Sequence, residues 1–579
     1  MRTGARLKST ISPPTLPALA LLVFTGQAFA ADWTPGENIP DAATVDITPE
    51  GFEAIAALIP ALIPSSIEIP DTGSEGGYWC FNYVYALTGG WVGIQVTDAT
   101  IVPGDGLLDV NASLLVNVND AASPFNLSYE LLCSTDDCPG YVTEFPVDIH
   151  TTMALDVITA GDGSTSLDAT VGAVEVSYGL SGDNIILDCW VQDVEDVLGY
   201  LGLSLYDLII DQVDSTLQDT IADLGPTLEE TIEDAFASAT IEQDLDLNGV
   251  AAHVKLYPSN VVVDPAGVRL TMAGSMTADA GACVAEYDPG GSLKTLSNSP
   301  DIGVAPTGID SPFHVGISLS DDFANQAMYS LWRGGLLCYS LEADNDTFPL
   351  DTSILNLLSG QAFEELFPES KPMSLQTVPR AAPTVSYTGS HDIDVDIHDL
   401  DLEMNAELDG RMARMIAVTL NGPVGVDMNL DSATGNLAIA LEIDPVALDP
   451  TVTYNEFYPD SNAAIEASFG ESLSGILDTV LGGLLESLAF ALPSSNGIGL
   501  QDLQIAAAGD NQDWLGAYAW IGAVTYESSS GCGGCGGDTA DTGSSSSSDC
   551  GGGCSTGEIP AAWTMVVPFG LLLGLRRRN

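Results

Sequence analysis

The apolar stripe between about Trp190 and Leu224 constrains this chain most. Val194, Val197, Leu198, Leu201, Leu205, Leu208, Ile209, Val213, Leu217 and Ile221 recur at helical spacing on one broad face. A helix with so long an apolar face needs an apolar partner surface of matching length, and the flanking segments supply strands. From Trp79 to about Leu187, short alternating runs (Ile94 to Val96, Leu107 to Val110, Leu114 to Val118, Ala173 to Tyr178) are punctuated by Gly, Asp and Asn, the pattern of antiparallel strands. Gly225 and Pro226 break the helix, a shorter one carries Leu228, Ile232 and Phe236, and strands return between Ile241 and Ala278. Upstream, Thr48, Pro49 and Glu50 read as N-cap, N1 proline and acidic first turn of a helix bearing Phe52, Ile55, Ile59 and Leu62, bent or ended near Pro60.

After a Pro-, Gly- and Ser-rich stretch from Tyr287 to Pro312, the same order recurs in outline. Ser320 caps a helix through Phe323, Ala327, Met328 and Leu331 that Gly334 and Gly335 stop, and strands dominate from about Val385 to Val452. A long helix then presents Leu473, Ile476, Leu477, Val480, Leu481, Leu484, Leu485 and Leu488 and ends at Pro493, before closing strands over Gly497 to Ala507 and Trp514 to Tyr526. The expected fold is α+β: an N-terminal domain over 31–286, a linker over 287–312 and a C-terminal domain over 313–527. In each, a highly twisted antiparallel sheet rolls around a long amphipathic helix. Such a roll is partly open and leaves an elongated apolar groove.

The ends address location. Residues 1–30 carry Arg2, Arg6 and Lys8, an apolar run from Ala18 to Phe24, and Ala28, Phe29 and Ala30, a secretory signal pattern with the mature start at Ala31. Export makes Cys80, Cys133, Cys138, Cys189, Cys283 and Cys338 disulfide candidates, with at least one bridge expected in the first domain. Residues 528–557 are almost entirely Ser, Gly, Asp, Thr and Cys and read as a flexible stalk. Residues 558–579 hold an apolar stretch from Ile559 to Leu575 closed by Arg576, Arg577 and Arg578, which would stay on the cytoplasmic side of a membrane. This Cys-bearing linker, apolar helix and arginine cluster resembles the C-terminal sorting tails of myxobacterial-type surface proteins. The resemblance implies cleavage beside Cys554 and retention at the cell surface or outer membrane; a plain anchoring helix is the alternative.

Charge excludes whole classes of partner. With 81 Asp plus Glu against 14 Lys plus Arg, the formal charge is -67, and the body holds only Lys255, Arg269, Lys294, Arg333, Lys371, Arg380, Arg411 and Arg414 as cations. A polyanion of this kind repels phosphate, which excludes electrostatic binding of nucleic acid or of lipopolysaccharide head groups.

The motifs that suggest chemistry have simpler readings. Gly553, Ser555 and Gly557 fit G-x-S-x-G but sit in low-complexity sequence with no strand before and no folded helix after, so they form no nucleophile elbow. Asp244, Asp246, Asn248 and Gly249 begin like a calcium loop, yet Lys255 stands where the bidentate Glu belongs, and a strand ending in an Asn-Gly turn fits better. His391 to Glu403 crowds imidazoles and carboxylates. In a strand Asp392, Asp394, Asp396 and His398 share one face, and the acidic phase then slips to Asp399 and Asp401, which predicts a bulge near His398 and an otherwise solvated acidic face. Cys532 with Cys535 and Cys550 with Cys554 have zinc-ligand spacing, but disulfides, lipidation or processing suit an exported stalk better. No metal or cofactor is expected.

The Ile47 to Phe52 opening, Asp188, Cys189 and Trp190 leading into the long helix, and the strands over Ala252 to Ala278 resemble the N-terminal half of the bactericidal/permeability-increasing protein family. Its relatives are the lipopolysaccharide-binding, phospholipid-transfer and cholesteryl-ester-transfer proteins of the tubular lipid-binding superfamily. Val315 to Ala327 with Gly335, Leu336 and Leu337 is similar to the start of that family's second domain, and Leu492, Pro493 and Gly499 to Ala507 to its closing segment, so the likeness spans about 45–526. It implies a boomerang of two tubular domains with apolar tunnels for acyl chains, and a disulfide from Cys189 to Cys133 or Cys138. Endotoxin neutralisation does not carry over, because the basic tip it requires is missing.

The expectation is therefore a secreted, surface-retained, non-enzymatic lipid-binding or lipid-transfer protein, with neutral or zwitterionic lipid preferred to anionic lipid and the membrane reached through the tail. The helix stripes nominate Phe52, Ile55, Ile59, Leu62, Leu198, Leu201, Leu205, Phe323, Met328, Leu331, Leu477, Leu481 and Leu484 as lipid contacts. A non-catalytic β-rich adhesion or structural surface protein is the alternative.

Overall fold

The computed structural model describes residues 32–57, 60, 65–76, 83–131, 134–161, 164–189, 206–207, 209–218, 226, 240–247, 249–295, 298–342, 350–431, 436–442, 447–469, 490–491 and 498–523. The signal and tail segments, Cys554 and most of the two long helices lie outside these residues. Among the described residues the fold is three antiparallel sheets with few helices.

The central sheet has seven strands, labelled in chain order β1 (Ile39–Ile47), β2 (Ile241–Leu247), β3 (Val250–Asp264), β4 (Gly267–Ala278), β5 (Val315–Ser320), β6 (Ile498–Ala508) and β7 (Trp514–Ala523). Their order is β2-β3-β4-β1-β5-β7-β6, so strands from both halves of the chain share one sheet. The joint is the antiparallel pair β1 and β5, with Val45 opposite Ile317. Outside it, β4 flanks β1 and β7 flanks β5. In each half a central strand runs straight into a capped helix, α1 (Pro49–Ala56) after β1 and α3 (Asp321–Gly334) after β5.

A ten-stranded sheet between Ser66 and Leu187 fills the N-terminal half, and an eight-stranded sheet between Ser340 and Ala491 fills the C-terminal half. In the first, the described helical residues 209–218 (α2) bury Ile209, Val213 and Leu217 against Val116, Phe125, Val142 and Phe145. In the second, α4 (Ser353–Ser359) and helical residues 462–469 (α5) bury Leu355, Leu358, Ile465 and Phe469 against Met404, Met415 and Val418. These contacts follow the 3.6-residue period of the helices meeting the two-residue period of the strands.

The strands are longer than the sequence suggested. The runs at Leu107 to Val110 and Leu114 to Val118 belong to one strand, Leu108–Val118, and its neighbour Ser134–Thr159 extends for 26 residues. Asn111 between these runs reads as punctuation in the sequence, yet it lies within the strand, as Ser113 and Asn117 do. The three pair across the ladder with His150, Asp148 and Gly93, as polar residues of a sheet do when one face stays wet. The phase slip at His398 is a bulge: the register of Ile393–Leu408 against Arg411–Asp431 shifts between Ile397 and Leu400, and Asp399 adopts φ 46°. The acidic face expected there is only partly solvated, since Asp394 is buried beneath Gly389. The Asp244 segment is β2, and Gly249 at φ 87° turns it into β3.

Among the described residues, two disulfides pin the chain. Cys138 to Cys189, with Cα atoms 5.2 Å apart, ties a long strand to the residue just before 190–205, one of the two pairings expected for Cys189. Closing that 51-residue separation is worth about 4 kcal/mol in the chain-entropy description. Cys283 to Cys338 links the segment after β4 to the turn just beyond α3. Cys80 and Cys133 lie outside the described residues.

Candidate functional site

The helices that follow β1 and β5 sit where a distal sheet meets the central sheet, and each end is locked by the opposite half of the chain. Thr48 Oγ1 accepts from the Gly51 backbone N–H at 3.1 Å, capping α1, and donates to the Phe313 carbonyl at 2.5 Å. Ser320 Oγ accepts from the Phe323 N–H at 3.2 Å, capping α3, and donates to the Ala42 carbonyl at 3.1 Å. Gly51 lets α1 lie directly on the chain at His314, because a Cβ there would stand 2.2 Å from the His314 carbonyl oxygen. At its other end α3 stops at Gly335, whose φ of 93° makes it the left-handed C-cap.

Two apolar seams result. In the N-terminal seam, Phe52 and Ile55 of α1 meet Ile101, Leu108, Met153 and Leu155 of the distal sheet and Val261, Val263 and Val268 of the central sheet. The distal sheet is fastened there by the Gly106 N–H, which donates to the Val263 carbonyl at 2.9 Å, and by Thr165 Oγ1, which donates to the Pro258 carbonyl at 2.6 Å. In the C-terminal seam, Ala324 and Met328 of α3 meet Val385, Ile393, Val395 and Met428 of the distal sheet, Tyr387 just after the strand Thr384–Ser386, and Ile505, Ala507 and Leu515 of the central sheet. Asn325 fastens it by pairing with both backbone groups of Val385, at 2.8 and 3.1 Å, as another strand would.

The seams differ from the closed cores beside them. Among the described residues the C-terminal seam has three buried apolar residues and seven half-buried ones, whereas the distal core of the same half has nineteen buried and nine half-buried. Partly exposed apolar side chains therefore make up the larger share of the seam and the smaller share of the distal core.

The sequence nominations divide accordingly. Phe52 and Ile55 line the N-terminal seam and Met328 the C-terminal one, while Phe323 and Leu331 face the central-sheet core. Ile59, Leu62, Leu198, Leu201, Leu205, Leu477, Leu481 and Leu484 lie outside the described residues. Sequence pattern missed the strand half of each lining, from Ile101 to Val268 and from Val385 to Leu515. Alternating apolar residues give no sign of which alternate face looks into a seam.

Polar groups gather at one end of the C-terminal seam. Asp321 and Asp322 open α3, and Thr295 donates to both through Oγ1, at 2.9 and 3.0 Å. Burial pushes the Asp321 carboxyl up to about 6, with the Thr295 hydrogen bond opposing and the charges of Asp322 and Asp513 adding. Tyr387 is 3% exposed, and its hydroxyl has no hydrogen-bond partner among the described residues. Burial, helped by the Asp321 charge, raises its phenol pKa.

The cations are mostly spoken for. Arg269 is bidentate to Asp46, Arg333 pairs with Asp288, Arg380 with Asp401, Arg414 with Glu403 and Lys255 with Glu242, and Lys294 lies 3.6 Å over the Trp33 ring. Among the described residues there is no group of His, Cys, Asp and Glu arranged to hold a metal ion, and no helix long and apolar enough to cross a membrane.

No family model matches the chain, and no curated protein matches it. Among solved structures it is similar to lipopolysaccharide binding protein, at 12% identity and a TM-score of 0.42 over 84% of this chain and 100% of that one. It is also similar to P47 of Clostridium botulinum E1, at 10% identity and a TM-score of 0.23 over 84% of this chain and 100% of that one. A third similar structure is Takeout 1 of Epiphyas postvittana, at 9% identity and a TM-score of 0.19 over 31% of this chain and 90% of that one.

Proposed function

We propose that this chain is an exported, surface-retained protein that binds or transfers lipid, holding acyl chains in its two seams and catalysing no reaction. The observation that carries the reading is the lining of half-buried apolar side chains where each capped helix meets two sheets. Acyl chains leave water for such a lining at about 25 cal/mol per Å² of apolar area. The resemblance carried by Ile47 to Phe52 and Val315 to Ala327 implies the same class of function. Neutral and zwitterionic lipids suit it best, because six of the eight body cations already have an acidic or aromatic partner and few are left for an anionic head group.

Titration with a fluorescent phosphatidylcholine and with lipopolysaccharide tests this. Saturable phosphatidylcholine uptake that changes little with salt is the expected result. Absence of uptake would favour a structural role in the envelope, and tight, salt-sensitive lipopolysaccharide binding would refute the charge argument. Retention is assigned to the tail, so a chain ending at Ser528 should appear in the medium while the full chain fractionates with the envelope. Equal partition of the two would overturn that assignment.

A further inference from the structure

Among the described residues of the seams, Tyr387 is the one whose polar group is left without a partner. It follows the strand Thr384–Ser386, which Asn325 holds against α3, and its ring packs with Val385 and Leu515 in the lining that includes Met328. A phenol buried to 3% exposure with no partner for its hydroxyl is costly to keep, and phenylalanine would fill the same space without that cost. The nearest charge acting on it is Asp321, and Asp322 and Asp513 act on Asp321 in turn. No cation pairs with Asp321 or Asp513 among the described residues.

We propose that the C-terminal seam takes an amphipathic lipid head-inward, and that the Tyr387 hydroxyl hydrogen-bonds an uncharged hydroxyl head such as that of a long-chain alcohol or sterol. The assignment rests on the lipid-binding reading of the seams and names the ligand class for one of them. A carboxylate or phosphate head is repelled by Asp321 and Asp513. An ammonium head would have to shed its water to pass an apolar lining. A hydroxyl has neither handicap, and it supplies both a donor and an acceptor to a phenol that has no other partner.

The test uses the full-length chain, delipidated and then offered vesicles of phosphatidylcholine carrying 1-hexadecanol, palmitate or hexadecane, with retained lipid quantified by mass spectrometry. Wild type should retain hexadecanol in preference to palmitate and hexadecane. Tyr387→Phe should lose about tenfold in hexadecanol retention, leave hexadecane retention unchanged, and unfold at the same temperature as wild type or higher when lipid-free. Equal hexadecanol retention by wild type and Tyr387→Phe would overturn the proposal, as would wild type that retains phosphatidylcholine but no hexadecanol. Wild type that retains none of these lipids would overturn the lipid-binding reading itself.

Discussion

Replacing Arg269 by methionine should destabilise the central sheet beside its joint and free the segment between the halves. Arg269 on β4 is 6% exposed and grips Asp46 on β1 through two hydrogen bonds, while its remaining guanidinium nitrogen donates to the Pro300 carbonyl and, at 3.3 Å, to Ser299 Oγ. One side chain thus ties the joint strand of the central sheet to the segment between the halves. Burial raises the pKa of Asp46 and the Arg269 contact opposes that rise, so Asp46 left alone is an uncompensated buried charge. The expected cost of Arg269→Met is about 3–5 kcal/mol near neutral pH, read from the urea midpoint. Adding Asp46→Leu should recover most of it, because two apolar side chains of similar volume can replace a buried pair. The loss from the single change should also shrink as pH falls, since Asp46 then takes up a proton in place of its lost partner. Limited proteolysis of Arg269→Met should cut near Ser299 and Pro300 first. A cost below about 1 kcal/mol, or a double variant no better than the single one, would refute this view of the joint.

Three further outcomes follow from the geometry. Asp321 has a folded-state pKa raised from 3.8 to about 6, so its contribution favours the fold below its ordinary pKa and is lost as pH rises through about 6. Asp321→Asn should therefore stabilise by about 1–2 kcal/mol near pH 8, after allowance for partial solvent screening, and by almost nothing near pH 4, which paired denaturation curves will show. Gly51→Ala places a Cβ 2.2 Å from the His314 carbonyl oxygen, and should cost about 1–3 kcal/mol in thermal or chemical unfolding despite alanine's higher helix propensity; a neutral or stabilising result would mean that α1 is free to move there. Cys138→Ser with Cys189→Ser should lower stability by about 2–5 kcal/mol, and alkylation of unreduced wild type should leave both cysteines unlabelled.

What could be read from the sequence was local. Thr48 and Ser320 announce their helices because a short hydroxyl followed by proline or carboxylates has few other uses, and Gly335 ends α3 because its left-handed backbone suits no other residue as well. The switch from Asp396 to Asp399 and Asp401 marks the bulge because a strand alternates strictly unless a residue is inserted. Long-range pairing was not legible. The joint matches Val45 with Ile317 across nearly half of the chain, and two alternating strands carry nothing that names each other. The same limit hid the Cys283 to Cys338 bridge and the strand side of both seams. It also hid Tyr387, an ordinary residue in sequence whose unpaired hydroxyl exists only once three elements close around it.

The most direct test of lipid binding in the seams is a native mass spectrum of the protein purified without detergent, followed by solvent extraction and identification of whatever is released. The expected spectrum shows the chain heavier than its sequence mass by one or two lipid molecules, with the excess removed by extraction and restored by incubation with phosphatidylcholine vesicles. A spectrum at the bare mass, with nothing extracted and nothing taken up from vesicles, would contradict lipid binding and leave the seams as packing surfaces of a structural envelope protein.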